Sequence, residues 1–177
     1  MSRTADSWRL LPKEVQTLVI ASFFVAMGYG VIVPAIPLYA RSFGVSAAAV
    51  GWVVSAFAIM RFLSGTISGR LVNAFGERKV YSIGVLMVSI SAFLAAISQN
   101  YGQLLSFRTA GGLGSSMFSV AASSVIFKSV SSELRARAQS IYNGGFLLGT
   151  MSGPALGGIL MQFSLRAPFF VYSATLL

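Results

Sequence analysis

The sequence contains neither cysteine nor histidine among its 177 residues. Without cysteine there is no disulfide bond and no thiolate nucleophile, and without histidine there is no imidazole for acid–base chemistry or zinc binding. Acidic residues are also scarce, since only Asp6, Glu14, Glu77 and Glu133 carry carboxylates. These absences remove most catalytic groups and metal ligands, so we expect a protein that is not an enzyme and uses no cofactor.

The composition that remains is that of a membrane protein. Hydrophobic residues make up 55% of the chain and charged residues 10%, with a mean hydropathy of +0.78. The net charge of +9 does not indicate nucleic-acid binding, because the cations are spread between apolar segments and do not form one water-facing patch. Most of the chain is therefore expected to lie in a lipid bilayer.

Apolar segments of membrane-spanning length, about 20 residues, divide the chain. We predict an all-α fold with a cytoplasmic tail, residues 1–14, and no cleaved signal peptide. Pro34 and Pro37 should bend or end the first span, and Ser46 should cap the second. Because the chain stops inside the sixth segment, we expect the N-terminal half of a longer protein. The predicted spans are residues 15–39, 47–68, 80–98, 103–127, 138–163 and, incomplete, 167–177.

The positions of the cations predict the orientation of these spans. Cytoplasmic segments of membrane proteins are enriched in lysine and arginine. In the predicted layout the outer segments contain only Arg41 and Arg166, which favours a cytoplasmic N-terminus in a cell membrane. The inner segments contain Arg3, Arg9, Lys13, Arg70, Arg78, Lys79, Lys128, Arg135 and Arg137.

A charged stretch, GRLVNAFGERK at residues 69–79, separates the second and third spans. We predict a cytoplasmic loop in which Gly69 and Gly76 allow a tight turn with positive φ, while Arg78 and Lys79 lie beside the membrane. Its spacing resembles the loop that follows the second helix in transporters of the major facilitator superfamily. That resemblance implies a gating loop. Asn73 stands where the family usually has aspartate, so the ion pairing that closes the inner side should be weaker here.

The fifth span carries the most specific pattern, GTMSGPALGG at residues 149–158. Gly145, Gly149, Gly153 and Gly157 recur every four residues, which places them on one helix face where another helix can approach closely. The pattern, which also includes Pro154 and Gly158, resembles the G-x-x-x-G-P-x-x-G-G signature of the superfamily's antiporters, especially its drug exporters. The resemblance implies a bend at the Gly-Pro pair and packing against the other half. Generic tight packing is the alternative.

Two arginines lie within predicted spans and are candidates for substrate binding or coupling. The fourth span's LSFRTAGGLG, residues 105–114, resembles the family's fourth-helix pattern without its glutamine. That resemblance implies that Arg108 acts in proton transfer, although its side chain could instead reach outer water. Arg61 has Ser64, Gly65 and Ser68 on its helix face and could instead bond only to neighbouring carbonyl groups.

Weaker candidates for the cavity wall are polar residues of the first and fifth spans. They are Ser22, Tyr29 and Asn143, with Tyr39 less favoured; a tyrosine near a helix end is often only an interface anchor.

Together these patterns resemble the major facilitator superfamily over essentially the whole chain. The resemblance implies a six-helix half, with its sixth helix truncated, of a twelve-helix fold built from two inverted three-helix repeats. It also implies proton-coupled export of small, lipophilic or drug-like compounds by alternating access, with a small molecule, protons, lipid and the missing C-terminal half as partners. The alternatives are a facilitator or importer of a polar metabolite, and a membrane assembly module that transports nothing.

Overall fold

The structure, a computed structural model, describes residue 8 and residues 11–177. Most of the expected cytoplasmic tail lies outside these residues. Within the described part the chain is helical and has no β-strand. The helices are α1 (Lys13–Ile32), α2 (Ala35–Arg41), α3 (Ala47–Leu63), α4 (Gly65–Phe75), α5 (Glu77–Ala96), α6 (Tyr101–Ser129), α7 (Ser132–Phe163) and α8 (Ala167–Thr175).

Length and apolarity qualify most of these helices as membrane spans. Among the described residues, the segments Lys13–Arg41, Glu77–Ala96, Tyr101–Ser129 and Ser132–Phe163 are each long and apolar enough to cross a bilayer. Helices α3 and α4 form a fifth such segment, which is bent by 48° at their junction. Helix α8 has 9 residues. We refer to α1 with α2 as span 1, α3 with α4 as span 2, and α5, α6, α7 and α8 as spans 3 to 6.

Two local predictions about these helices are confirmed. Span 1 is interrupted before Pro34, which is the N-cap of α2, as expected for a residue that lacks a backbone N–H and crowds the preceding turn. Ser46 caps α3, because its side chain accepts a hydrogen bond from the backbone N–H of Ala49.

The charged connections are more helical than predicted. Residues 69–75 belong to α4, so the predicted loop is wrong there, and Gly69 does not have a positive φ. Only Gly76, with φ of 83°, separates α4 from α5. Helix α7 likewise begins at Ser132, six residues before the predicted start of the fifth span. Hydropathy marks the part of a helix that lies in lipid, whereas backbone hydrogen bonds continue into the polar ends.

The helix contacts relate the first three spans to the last three by a two-fold exchange. The contact between spans 1 and 5 corresponds to the contact between spans 4 and 2. Likewise, the contact between spans 1 and 6 corresponds to the contact between spans 4 and 3. Spans 3 and 6 contact each other. This pairing confirms the predicted architecture of two inverted three-helix repeats, here with a short sixth helix.

The glycine face of α7 forms the contact between spans 1 and 5. A Cβ atom added at Gly149, Gly153 or Gly157 would lie 2.2–2.4 Å from a carbonyl oxygen of α1. From the other side, a Cβ at Gly30 would lie 2.3 Å from the carbonyl oxygen of Thr150. The two backbones therefore touch, which only glycine permits. The prediction of a close helix contact on this face is confirmed for these three glycines, which α1 of the same chain covers, and packing of span 5 against another half stays a prediction.

The rest of the signature lies at the margin of this contact. A Cβ at Gly145 would lie 3.1 Å from Val19, whereas one at Gly158 would meet nothing within 4 Å. Helix α7 runs through Pro154 without interruption, and a bend at that residue stays a prediction.

Candidate functional site

Arg108 is enclosed in the middle of the helix bundle. Its exposed fraction is 1%, which makes it the largest fully buried side chain among the described residues. The guanidinium carbon lies 4.5 Å from the centre of the Phe57 ring, a cation–π contact between spans 4 and 2. The buried Nε atom has no hydrogen-bond partner within the described part of the chain. The structure therefore places Arg108 in the interior, away from outer water.

Aromatic rings extend from this arginine across three spans. Tyr29 of α1 stacks on Phe57 with ring centres 6.3 Å apart, and Tyr172 of α8 meets Tyr29 edge-on at the same separation. The predicted candidates Tyr29 and Arg108 thus share one cluster. Phe57 and Tyr172, which connect them, were not predicted, because an isolated aromatic residue in an apolar segment carries no distinguishing signal.

Arg61 occupies a different position, in a small polar cavity between spans 2, 4 and 5. Its Nη2 atom donates a hydrogen bond of 3.1 Å to the hydroxyl of Ser119 on α6. The side-chain amide of Gln139 donates a 3.1 Å hydrogen bond to Oδ1 of Asn143 on α7. The cavity, with a volume of about 170 Å³, is lined by Arg61, Ser119, Ser123, Gln139, Tyr142, Asn143 and Phe146.

The cavity and the aromatic cluster adjoin along one face of α3. Phe57 and Arg61 are four residues apart and so lie on the same side of this helix. Gly112 of α6 packs between them, since a Cβ there would lie 2.5 Å from the carbonyl oxygen of Phe57 and 3.1 Å from the backbone nitrogen of Arg61. One contact between spans 2 and 4 therefore positions both arginines. No acidic residue belongs to either group among the described residues.

Other polar residues of the spans bond to protein groups, some within one helix and some between helices. Ser22 is buried and donates to the carbonyl of Val19, and the Tyr39 hydroxyl bonds to Ser98 at 3.0 Å. Ser64 and Ser68, predicted to form a polar stripe beside Arg61, are both buried. Ser68 bonds to Ser116 of α6 at 3.1 Å and so belongs to a helix contact and not to a cavity wall, whereas Ser64 donates to the carbonyl groups of Met60 and Arg61.

At the junction of spans 2 and 3, the charged contact that forms involves Glu77 and not residue 73. Asn73 is exposed on α4, as are Arg78 and Lys79 on α5, and the gating role of residues 69–79 stays a prediction. Glu77 instead forms an ion pair with Lys128 and accepts a 2.9 Å hydrogen bond from Ser124. These contacts join the start of α5 to the end of α6.

Comparison with known proteins agrees with the fold and the motifs. Residues 18–177 match the profile of the Major Facilitator Superfamily. The chain belongs to the major facilitator superfamily. The predicted family and the all-helical, multi-pass membrane fold are confirmed, and the family is one of membrane transport proteins and not of enzymes.

Similar curated proteins include two drug-resistance proteins. Quinolone resistance protein NorA of Staphylococcus aureus is 28% identical over 166 residues, which cover 92% of this chain and 42% of NorA. Multidrug resistance protein 2 of Bacillus subtilis is 27% identical over 163 residues, covering 92% of this chain and 41% of that protein. The chain thus spans about two fifths of the length of these relatives.

Among solved structures, a crystal structure of peptide transporter POT, in a mutant form in complex with sulfate, superposes with a TM-score of 0.80. The alignment covers 93% of this chain and 36% of that transporter at 21% sequence identity. This similarity establishes the shared fold.

Proposed function

We propose that this chain forms the N-terminal half of a secondary active transporter that exports small, drug-like compounds in exchange for protons. The names of the similar proteins and the signature in span 5 support the export of drug-like compounds. The predicted substrates are small and lipophilic, and the other partners are protons, membrane lipid and a C-terminal half.

The observation that carries the coupling to protons is the burial of Arg108 without an acidic partner. An arginine stays protonated in proteins, and a buried cation without a counter-charge costs several kcal/mol. An ionisable residue buried in a membrane bundle is a functional-site candidate for which a charged partner is expected. We propose that this partner is a carboxylate from the rest of the transporter. Its interaction with Arg108 would change each time the carboxylate gains or loses a proton.

The architecture supports the mechanism of alternating access. Two inverted repeats give the chain a two-fold design in which the largest helix contacts are those between spans 1 and 5 and between spans 3 and 4. We propose that this bundle rocks as a body against a second bundle, with the N-terminus in the cytoplasm and the transporter in the cell membrane. The aromatic cluster and the arginine cavity would then face the substrate path.

The test is transport by the full-length protein in inside-out vesicles. Uptake of the neutral lipophilic probe N-phenyl-1-naphthylamine should require an inward-acidic pH gradient and should stop when an uncoupler is added. Arg108→Lys keeps the charge but loses the planar fork of donors, and it should slow gradient-driven uptake by about tenfold or more. Arg41→Lys, at an exposed position outside both clusters, is the matched control and should transport normally.

Two other outcomes would favour the alternative functions, a facilitator or a membrane assembly module. Uptake that equilibrates at the same rate with the gradient collapsed would show a facilitator. If the folded, inserted protein transported no compound under any gradient, the chain would be part of an assembly module instead.

A further inference from the structure

We infer that the cavity around Arg61 binds the anionic oxygen group, a carboxylate or sulfonate, of the transported compound. This inference rests on the proposed transport function and narrows its substrate class from drug-like compounds in general to amphiphilic organic anions. It assigns recognition of the substrate's charge to Arg61, apart from the coupling role proposed for Arg108.

The size of the cavity shows what it can hold. Its volume of about 170 Å³ is well below the roughly 300–1,000 Å³ of pockets that enclose a whole drug-sized ligand. Arg61 and Asn143 in its lining are exposed, so the site can receive one polar group while the rest of the molecule lies outside it. Phe146 at its wall, together with the neighbouring Phe57 and Tyr29 rings, offers apolar surface for the remainder of such a molecule.

Most of the hydrogen-bond donors that line the cavity have no acceptor partner. Arg61 has five N–H donors and uses one recorded hydrogen bond, to Ser119. Within the described residues, no hydrogen bond is made by the hydroxyl of Ser123 or of Tyr142. One buried acceptor is also free, Oε1 of Gln139, while the Nε2 group of the same amide donates to Asn143.

The charged side chains at and beside the cavity are cations. Among the described residues no carboxylate lines this cavity. The ion pair between Lys128 and Glu77 involves neither Arg61 nor Arg108. Arg61 and Arg108 thus present two cations along one face of the contact between spans 2 and 4. A planar guanidinium binds a carboxylate or sulfonate through two parallel hydrogen bonds, and the surrounding positive potential favours that ligand over a cation.

The experiment compares two fluorescent probes that differ by one anionic group. They are 8-anilino-1-naphthalenesulfonate and N-phenyl-1-naphthylamine, which has the same rings without the sulfonate. Binding to the purified full-length protein is measured without a proton gradient, and transport is measured in vesicles with one. Arg61→Gln removes the charge, Arg61→Lys keeps it, and Arg41→Gln is the matched control.

We expect Arg61→Gln to weaken binding and transport of the sulfonate by about tenfold or more, the loss of one charge-assisted contact. Binding of the neutral probe should be unchanged. Arg61→Lys should retain a preference for the sulfonate, and Arg41→Gln should resemble the unmodified protein. Sulfonate binding that depends on Arg61 without any gradient-driven transport would support the cavity assignment while contradicting the proposed export.

Three results would overturn the inference. The first is equal sulfonate affinity of Arg61→Gln and the unmodified protein. The second is an equal loss of both probes in Arg61→Gln and Arg61→Lys variants that remain folded, which would assign Arg61 a structural role. The third is preferential binding and transport of the neutral probe by the unmodified protein, which would show normal export with a different substrate class.

Discussion

Two helix pairs that the inverted repeats make equivalent are built from different chemistry. Spans 1 and 5 meet through glycines at which an added Cβ would lie 2.2–2.4 Å from carbonyl oxygens. In the described residues no side-chain hydrogen bond joins α1 to α7. Spans 2 and 4 also approach closely, at Gly112, but they are further linked by Arg61 with Ser119 and by Ser68 with Ser116.

The difference shows how one packing scheme serves two tasks. Backbone contact alone is enough to hold two helices together in lipid, because van der Waals packing there replaces the hydrophobic effect. The contact between spans 2 and 4, which carry Arg61 and Arg108, contains polar groups in place of part of that backbone packing. The repeat therefore determines which helices contact each other, and the side chains determine which of these interfaces can bind a ligand.

The largest effect should come from breaking the glycine contact of spans 1 and 5. Gly153→Ala would place its Cβ 2.4 Å from the carbonyl oxygen of Met27 and 2.5 Å from the backbone of Gly30 and Val31. Because both sides of the clash are backbone, we expect a loss of about 1–3 kcal/mol or more in the free energy of unfolding. Thermal unfolding of the purified full-length protein would measure it.

Gly158→Ala is the matched control, since nothing lies within 4 Å of its added Cβ. Alanine is also the better helix former by about 1 kcal/mol, so this variant should be at least as stable as the unmodified protein. Equal melting temperatures for the two variants would show that the close approach of α1 and α7 contributes nothing special.

An opposite change in stability should follow from removing the buried charge between spans 2 and 4. Arg108→Met keeps much of the volume and eliminates an uncompensated cation, at the cost of a cation–π contact with Phe57 worth about 0.5–2 kcal/mol. We expect a net gain in stability of roughly 1 kcal/mol together with loss of gradient-driven transport. Unfolding and vesicle uptake of the same preparation would measure both quantities.

A lower melting temperature for Arg108→Met would contradict this comparison. It would mean that Arg108 is a structural residue whose partners stabilise the bundle.

The smallest effect should come from the serine pair that links spans 2 and 4. Ser68→Ala removes the 3.1 Å hydrogen bond to Ser116, and interhelical hydrogen bonds in membranes contribute about 0.6 kcal/mol on average. Its melting temperature should fall slightly relative to Ser55→Ala, an exposed position on α3. A drop as large as that of Gly153→Ala would show that polar side chains, and not backbone contact, hold this pair.

Features that depend on local chemistry could be predicted from the sequence. The break at Pro34 and the cap at Ser46 follow from properties of single residues, and the glycine repeat of span 5 predicted a close helix contact. Features that depend on distant residues could not. That the glycine face of α7 packs on α1, or that Phe57 lies against Arg108, depends on which helices become neighbours.

The candidate site was predicted as separate residues and not as groups. Arg61, Asn143, Tyr29 and Arg108 stood out because polar side chains are expensive in lipid. Their division into an aromatic cluster and a separate cavity follows from the crossing of spans 2, 4 and 5, which periodicity does not encode. Gln139 and Tyr142 were missed because the predicted start of the fifth span, residue 138, made them look like part of a polar helix end.

The junction at Gly76 has a mechanical consequence. Helices α4 and α5 are joined by that one residue, whose backbone angles, φ of 83° and ψ of 156°, are rarely open to residues with side chains. Since adjacent Cα atoms are about 3.8 Å apart, the facing ends of these helices cannot separate by more than about 7.6 Å. The two helices are therefore coupled through a single pivot residue, so a rotation of α4 about Gly76 has to move the first turn of α5 as well.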